Sequence, residues 1–310
     1  MEPVLRVDKP GLQTTIQDLG RGGHRAYGVP PGGAMDRFAL AAANRLVGNP
    51  DGAACLECAV SGPSLVALQS CLIAVTGADF GATVNGEEMP LWTGVFLPAG
   101  ERLAFAGRRA GARCYIAVAG GFGGDRWLGS LSTYQLVGRG GLGGRPLKAG
   151  DLLQPAAAPP HPQVAGRHLA EPLRPAYASA PRLAAVRGPH FDRLSRPART
   201  VLWKTEFEVG KDSDRMGYRL EGQTLEAGGR DILSIGLAMG AVQLPPGGNP
   251  ILLMADHQSA GGYPVILGLG RADIVLAAQL LPGEHVSFTE TSVLRAQDAW
   301  RGLRAGLETL

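Results

Sequence analysis

The first of three polar, glycine-containing loops in this 310-residue chain lies between Gln13 and Asn49. It contains Asp18, Arg21 and Asp36, together with glycines that let a backbone fold closely around a ligand. We predict that these three side chains bind a substrate. The alternative is a tight corner, in which Asp36 caps the Ala-rich helix that follows and Arg21 pairs with a carboxylate.

The second loop, "KDSDRMGYRLEG", contains Asp214, Arg215 and Tyr218 around a Met-Gly pair. An arginine guanidinium can bind a carboxylate, a carboxylated nitrogen or a phosphate with two parallel hydrogen bonds. We therefore predict an anion-binding role for Arg215. The alternative is an ion pair with Asp212 or Asp214.

The third loop follows "PILLMA", which has the composition of a buried strand, and it contains Asp256, Gln258 and Tyr263. Polar groups at the end of a rigid strand are well placed to meet a small ligand. Gln243, on the preceding segment, and Gln258 each offer an amide donor and acceptor, which suits a urea, lactam or carboxamide. The alternative is hydrogen bonding within surface turns.

Motifs of common enzyme classes are missing from the sequence. It has no G-x-S-x-G, P-loop, H-E-x-x-H, Rossmann fingerprint or biotinyl-lysine motif. The segment from Gly138 to Asp151 resembles a phosphate loop, but its Lys148 is followed by Ala-Gly-Asp, so we interpret it as a barrel corner. Cys55 and Cys58 form a C-x-x-C in a strand-like segment, where positions three apart face opposite ways, and we predict no metal site.

Composition restricts the class of protein. With 45% hydrophobic and 18% charged residues the chain is globular, and its net charge of +3 is scattered, so we expect no nucleic-acid partner. The N-terminus lacks a signal-peptide pattern and the apolar stretches are interrupted by Gly, Arg or Asp. We therefore expect a cytoplasmic protein that does not enter a membrane.

Turn residues indicate the fold class. Forty-six glycines and twenty-three prolines interrupt short apolar runs, which is typical of an all-β protein with a few helices. Asn85-Gly86 predicts a hairpin within a meander of strands. Three helices are predicted: one capped by Asp36, a short one from Asp273 to before Pro282, and a last one from about Ser292.

A proline-dense stretch divides the chain. We expect an N-terminal β-barrel half over 1–155, a connection over 156–181, and a C-terminal β-barrel half with the terminal helix over 182–310. Two packed β-barrels are the preferred architecture, and a single elongated sandwich is the alternative.

Six segments together resemble one family, that of the 5-oxoprolinase C subunit, also called KipA-like or allophanate hydrolase subunit 2. The resemblance extends to the carboxyltransferase part of urea carboxylase. The segments are "TTIQDLGRGGHRAYGVPPGGAMD" with "AANRLVGNP", "GSLSTYQLVGRGGLGGRPLKAGD", "VRGPHFDRL", "SDRMGYRLEG", "GAVQLPPGGNPILLMADHQSAGGYP" and "AQLLPGE". The resemblance implies cyclophilin-like β-barrels, no metal, and two partner proteins, one KipI-like (the B subunit) and one LamB/YcsF-like (the A subunit).

By position, the resemblance marks the residues that the loops suggested: Asp18, Arg21, Asp36, Asp214, Arg215, Tyr218, Gln243, Asp256, Gln258 and Tyr263. This chain departs from the family's usual pattern at Ile235 (acidic in the family), Met239 (proline), His257 (arginine) and Ser259-Ala260 (threonines). These departures leave the substrate open.

The leading hypothesis is a subunit of an ATP-dependent 5-oxoprolinase that opens 5-oxo-L-proline to L-glutamate and is inactive alone. The KipI-like and LamB/YcsF-like partners would complete the enzyme, and ATP would act through the complex. Arg215 would anchor the substrate carboxylate, Gln243 and Gln258 would orient the amide, and Asp256 would be the general base. The alternatives are carboxyl transfer from carboxybiotin to a urea-like nitrogen, and a non-catalytic antagonist of a KipI-like kinase inhibitor.

Overall fold

The computed structural model of the chain describes residues 1–160, 164–228 and 232–310. These residues form two compact units, each assembled from more than one stretch of the chain. The first unit comprises Met1–Gly22, Gly32–Arg174 and Arg304–Leu310, and the second comprises Gly23–Pro31 and Pro175–Leu303.

The strands of the first unit form two antiparallel sheets. They are β1 (Leu5–Lys9), β2 (Gln13–Gln17), β3 (Cys55–Ala59), β4 (Ser64–Ala67), β5 (Cys71–Asp79), β6 (Ala82–Val84), β7 (Glu87–Glu88), β8 (Gly94–Leu97), β9 (Arg102–Phe105), β10 (Ala110–Val118) and β11 (Leu152–Leu153). One sheet has the order β11-β1-β4-β9-β6-β7 and the other has the order β2-β3-β10-β5-β8.

The hairpin predicted at Asn85-Gly86 is confirmed. It joins β6 to β7, and both turn residues have positive φ, 52° and 89°, as a tight hairpin turn requires. The predicted meander is wrong, because consecutive strands alternate between the sheets: β5, β8 and β10 belong to one sheet and β6, β7 and β9 to the other. Local turn signals fix a single hairpin, whereas sheet membership depends on pairing between distant segments.

Helix α1 (Arg37–Leu46) packs on β5 and β10, which explains why these strands are buried along almost their whole length. The predicted cap is confirmed, since the Asp36 carboxylate accepts a hydrogen bond from the Ala39 N–H at 2.8 Å. The C-terminal segment also contacts α1, because Arg45 donates to the Leu307 carbonyl at 2.7 Å. A core of aliphatic side chains lies between the two sheets.

The second unit contains a closed barrel. Its strands and helices are β12 (Arg182–Arg187), α2 (Arg196–Lys204), β13 (Phe207–Val209), β14 (Gly217–Glu221), β15 (Ile235–Gly236), β16 (Ala241–Gln243), β17 (Ile251–Leu253), β18 (Ala260–Gly261), β19 (Val265–Leu269), α3 (Arg271–Ala277), β20 (His285–Glu290) and α4 (Val293–Ala305), whose last two residues group with the first unit. The barrel order is β12-β19-β16-β17-β14-β13-β20, and β20 closes it by pairing in parallel with β12. Strands β15 and β18 form a separate two-stranded sheet.

Helix prediction was partly correct in this unit. Helix α3 begins at Arg271 rather than at Asp273, and Asp273 accepts a hydrogen bond from the Ala184 N–H at 2.7 Å. Helix α4 begins at Val293, next to the predicted start at Ser292. Helix α2 was not predicted, although Ser195 caps it and Pro197 lies in its first turn.

The fold class predicted from the sequence, an all-β protein with a few helices, is confirmed. The division between the units falls between Arg174 and Pro175, inside the connection expected over 156–181. Residues 161–163 of that connection lie outside the described residues. The sequence boundaries at 155 and 182 did not anticipate that 23–31 group with the second unit or that 304–310 group with the first.

The four cysteines are free and buried. Cys55 contacts the Leu40 carbonyl of α1, whereas Cys58 belongs to the core between the sheets, so the C-x-x-C pair faces two ways as predicted. Burial raises the pKa of the Cys55 thiol, and it raises the pKa of Cys71 to about 12. These thiols are therefore protonated and unreactive near neutral pH. None of the helices in the described part of the chain is long and apolar enough to cross a bilayer.

Candidate functional site

The second and third polar loops meet at one end of the barrel of the second unit. Strand β14 pairs with β17, and β17 pairs with β16, so that Tyr218 lies opposite Leu252 and Gln243 opposite Ile251. Beyond the strand ends, the Asp256 N–H donates to the Arg215 carbonyl at 2.8 Å. The ladder therefore brings residues 215 and 256 together, although they are far apart in sequence.

Arg215 and Asp256 form an ion pair with two hydrogen bonds. The Arg215 Nε lies 2.8 Å from Asp256 Oδ2, and Nη2 lies 3.2 Å from Oδ1. Their side chains are only 13% and 10% exposed, so water screens the pair weakly. The arrangement holds a planar cation in a partly dry environment, where a ligand carboxylate that replaced Asp256 would meet two donors already in place.

Two residues further along, Gln258 joins Gln243. The Gln258 Nε2 lies 3.4 Å from Gln243 Oε1, and the Gln243 Nε2 donates to the Tyr263 carbonyl at 3.3 Å. Gln243 is buried, whereas Gln258 and the Tyr263 ring are exposed. Buried Gln243 thus holds the exposed Gln258 amide, which can exchange hydrogen bonds with the N–H and C=O of a small amide.

Strands β15 and β18 flank this amide pair. A methyl group at Gly261, in β18, would lie 2.9 Å from Gln258 Nε2 and 3.0 Å from Gln243 Nε2, so a larger residue there would displace the two amides. Ile235 pairs with Gly261 in this small sheet, and Ala260 pairs with Gly236. Two of the positions where this chain departs from the pattern of the family it resembles therefore lie in the sheet beside the amide pair.

His257, a third such position, is fully buried between Asp256 and Gln258. Its Nδ1 lies 2.7 Å from the Gln258 carbonyl oxygen. A carbonyl only accepts, so Nδ1 carries the proton and donates. The imidazole therefore fixes the backbone of the turn that holds Asp256 and Gln258.

A cleft of about 630 Å³ opens beside Tyr263 in the second unit. Its lining includes Arg193, Glu226 and the turn from Leu244 to Gly248. Leu244 follows Gln243 directly. The cleft therefore borders the segment that positions the amide pair, and its size suits a small molecule.

Asp214 and Tyr218 are closer to structural roles. The Asp214 Oδ1 accepts from the Met216 N–H at 2.8 Å and the Gly217 N–H at 3.2 Å, which shapes the turn that carries Arg215. Tyr218 is only 2% exposed, within the barrel wall. Both residues support the site, and Arg215 is the member of this loop best placed to meet a ligand.

The residues of the first loop lie in the first unit, where Asp18 connects the end of β2 to the segment 130–132. Its Oδ1 accepts from the hydroxyls of Ser130 and Ser132, each at 2.6 Å, and from the Gly20 N–H at 2.7 Å. Its Oδ2 accepts from the Leu131 N–H at 2.7 Å. Three of these bonds hold the two segments together, and the bond from Gly20 shapes the turn that follows Asp18.

Arg21 is 1% exposed and its guanidinium donates to the Ser132 carbonyl. It lies 5.0 Å from the centre of the Trp127 ring and 5.7 Å from that of Tyr134, within cation–π range of both. The two rings are themselves stacked, with centroids 6.2 Å apart. Arg21 therefore organises an aromatic pair rather than facing solvent.

Asp36 is fully buried as the cap of α1, and it lies in a buried network that sequence reasoning missed. Its N–H donates to the Tyr115 hydroxyl at 2.8 Å, and that hydroxyl donates to Glu57 Oε2 at 2.7 Å. Burial, with nearby Glu57 and Asp36, raises the pKa of Tyr115, so it stays a donor. No local motif links positions 36, 57 and 115, so only the strand pairing could have revealed the network.

Neither a phosphate loop nor a metal cluster is evident in the described residues. Lys148 is exposed, its N–H donates to Asp151 at 2.7 Å, and the chain continues into β11 rather than a helix, so the segment does not fit nucleotide phosphates. Arg145 binds both oxygens of Asp151 and lowers the pKa of that carboxyl. In the described ranges, no three His, Cys, Asp or Glu side chains are grouped to hold a metal ion.

Comparison with known proteins gives consistent results. The family model described as carboxyltransferase domain, subdomain A and B, matches residues 27–290. The chain is 37% identical over 299 residues to the C subunit of the 5-oxoprolinase of Escherichia coli strain K12, covering 96% of this chain and 94% of the relative. It is 36% identical over 290 residues to the corresponding 5-oxoprolinase C subunit of Haemophilus influenzae, covering 92% and 90% respectively.

A solved structure is similar over the whole chain. The urea amidolyase of K. lactis aligns with a TM-score of 0.93 and 26% identity, covering 100% of this chain and 20% of that longer protein. The similarity therefore concerns one part of a larger enzyme.

Proposed function

Because this chain belongs to the carboxyltransferase family with subdomains A and B, we propose that it is the C subunit of a 5-oxoprolinase, acting in the ring opening of 5-oxo-L-proline to L-glutamate. Relatives that match over almost their full length carry that name. A KipI-like protein (the B subunit) with a LamB/YcsF-like protein (the A subunit) would complete the enzyme in the cytoplasm. ATP would be used by the complex, and we assign it no residue of this chain.

One observation carries the proposal. The Arg215–Asp256 ion pair and the Gln243–Gln258 amide pair converge on the three residues 256–258 at the end of β17. 5-Oxoproline is a lactam that bears a carboxylate, so it offers one group to each pair. Arg215 can bind the carboxylate, and the two glutamine amides can bind the lactam, so the site matches a substrate of this chemical class.

The ion pair suggests how proton transfer would be coupled to binding. In the free protein, Asp256 uses both oxygens to hold the Arg215 guanidinium. A substrate carboxylate that replaces Asp256 on the guanidinium would release Asp256 to accept a proton as the general base. The buried Gln243 amide and Gln258 would meanwhile orient the lactam, and Tyr263 would border it. The remaining predicted site residues would act by maintaining the fold around their units: Asp18, Arg21, Asp36, Asp214 and Tyr218.

Reconstitution tests the proposal. The purified chain alone should show no 5-oxoproline-dependent ATP hydrolysis, and activity should appear when both cognate partner proteins are added. Glutamate release is measured beside phosphate release, because ATP hydrolysis without glutamate would indicate an unrelated ATPase. Full turnover by the isolated chain, or none by the three-protein mixture, would contradict the proposal.

A second candidate is carboxyl transfer from carboxybiotin to a urea-like nitrogen. The observation that favours it is the alignment of the whole chain with part of a urea amidolyase. The same anion anchor would hold the carboxyl group and the same amide pair would bind the urea. Biotin would arrive on a separate carrier, so carboxylation of urea in the presence of a biotin carboxylase and carrier, without turnover of 5-oxoproline, distinguishes this candidate.

A further inference from the structure

Two tight turns stand side by side in the first unit. In the first, Trp127 and Ser130 exchange backbone hydrogen bonds of 2.8 and 3.1 Å across Leu128-Gly129. In the second, Tyr134 and Arg139 exchange bonds of 2.7 and 3.2 Å around a 3-10 helix at 135–137. Each turn is therefore closed by its own backbone.

The bases of the turns are joined by the stacked rings of Trp127 and Tyr134, with the buried guanidinium of Arg21 beside both. The second turn is also packed closely, because a methyl group at Gly144 would clash with the backbone of Gly138. The two tips are thus held in a fixed arrangement, which lowers the entropy cost of binding anything that contacts both.

These rigid tips expose apolar side chains. Leu136 is 73% exposed, Val137 49% and Leu128 37%. Leu128 also has φ of 50°, a left-handed conformation that is unfavourable for a residue with a bulky side chain and that Gly or Asn adopts more easily. A strained, exposed leucine adds little to folding, so its side chain is better explained by a contact with another molecule.

The charges on the tips favour a particular occupant. Arg126, Arg139 and Asp125 are all exposed, which leaves a net positive charge on the tips. Arg126 Nη1 donates to the Gly129 carbonyl at 2.9 Å, and Asp125 Oδ2 accepts from the Gly143 N–H at 3.1 Å. A second copy would bring like-charged arginines together, which disfavours self-association. An apolar face bordered by carboxylates would instead complement the tips in both shape and charge.

We propose that this twin-tip surface, defined by Arg126, Leu128, Leu136, Val137 and Arg139, docks the KipI-like partner through an apolar face rimmed by acidic residues. The proposal rests on the proposed function for the existence of that partner. Leu136 and Leu128 are the anchors, and the arginines provide the rim. The aromatic pair with its buried guanidinium holds the anchors in place.

The test measures binding of the purified cognate KipI-like protein to the whole chain by calorimetry. Leu136→Glu should weaken binding by about 100-fold, and Leu128→Asn by about 10-fold. Leu128→Asn should melt no lower than the wild type, because Asn tolerates the left-handed conformation, so its loss of affinity cannot come from misfolding. Arg139→Glu should weaken binding most at low salt.

The matched control is Leu12→Glu, because Leu12 is 71% exposed in the same unit but lies away from the tips, between β1 and β2. It should bind as the wild type does. Wild-type affinity in Leu136→Glu, or no binding by the wild type, would overturn the proposal. So would a dimer of the chain alone that Leu136→Glu dissociates. Glutamate formation is measured in parallel. If the tip variants weaken binding but the wild-type mixture forms no glutamate, only the proposed function is contradicted. If glutamate forms but the tip variants bind as the wild type does, only the docking surface is contradicted.

Discussion

The polar loops of the first unit and those of the second unit contain similar residue types, but their side chains have different hydrogen-bond partners. Asp18, Arg21 and Asp36 direct their polar atoms at serines, backbone groups and aromatic rings within the fold. Arg215 and Asp256 instead meet near exposed Gln258 at a strand end. A charged loop is therefore not in itself a ligand site, and the location of its hydrogen-bond partners decides which loop can bind a substrate.

The largest expected effect concerns stability in the first unit. Asp18→Ala removes the acceptor of four hydrogen bonds and should lower the free energy of unfolding by about 4 kcal/mol. Asp18→Asn should lower the free energy of unfolding by about 2 kcal/mol, because its amide N–H₂ would face the Leu131 N–H and two donors cannot bond to each other. Urea denaturation measures both.

The control for Asp18 is Glu87→Ala, an exposed carboxylate in β7 of the same unit. It should change the free energy of unfolding by less than about 0.5 kcal/mol. If Asp18→Ala were as stable as this control and lost only catalytic activity, the contrast between the two regions would disappear.

The next effect concerns activity in the second unit. Arg215→Lys retains the charge but loses the planar, two-pronged donor, so turnover of the reconstituted complex should fall about 10- to 100-fold. The melting temperature should change little, since Lys can still approach Asp256. Steady-state kinetics measures the loss of turnover, and a melting curve shows whether the variant is still folded.

Arg187→Lys is a matched control, because Arg187 also binds a carboxylate through two donors, at Glu290, but with both side chains about half exposed. Its turnover should equal that of the wild type. Equal turnover in both lysine variants would remove Arg215 from the site, and a collapse of the melting temperature in Arg215→Lys would make its role structural.

These contrasts show what sequence alone could predict. The Asp36 cap and the Asn85-Gly86 turn were predicted because their causes lie within a few residues. The ion pair between Arg215 and Asp256 spans 41 residues, and the sequence offered only nearer aspartates as alternative partners. Barrel pairing creates that contact, so no local pattern contains it.

Helix α2 shows the reverse case, in which a usable local signal was present. Ser195 accepts from the Ala198 N–H at 3.3 Å and Pro197 lies in the first turn, both typical of a helix start. Only Ala198 and Leu202 are buried on this helix. Its apolar periodicity is therefore too weak to predict a helix together with the start signal.

A smaller effect should come from Gly261→Ala. The added methyl group would lie within 3.0 Å of both glutamine amide nitrogens and would displace the pair. We expect KM for the amide substrate to rise about fivefold, about 1 kcal/mol, with a smaller change in kcat. Gly236→Ala, in the partner strand β15, has no atom within 4 Å of the new methyl group and should leave KM unchanged. A fivefold rise in both variants would point to the small sheet rather than to the amide pair.

The smallest effect compares two carboxylates near helix starts. Burial raises the pKa of Asp273, so the folded state binds its proton more tightly than the unfolded chain does. Its contribution to stability should fall as pH rises from near the ordinary value of about 3.9 through the raised pKa, and then level off. Asp273→Asn keeps an oxygen for the Ala184 N–H and should flatten that part of the stability profile, whereas Asp36→Asn at the start of α1 should leave it in place. Identical pH profiles for wild type and Asp273→Asn, from denaturation between acidic and neutral pH, would show that Asp273 does not titrate in this way.

The composition of the first unit has a consequence for biosynthesis. Its last segment, Arg304–Leu310, follows the second unit in the sequence and so leaves the ribosome after it, and the Leu307 carbonyl accepts a hydrogen bond from Arg45 of α1. The first unit therefore cannot acquire all of its contacts until the second unit has been translated. A gene fragment that stops at residue 174 would encode every strand of the first unit but would leave this part of α1 uncovered. We expect such a fragment to need its missing tail, supplied as a peptide, to reach full stability.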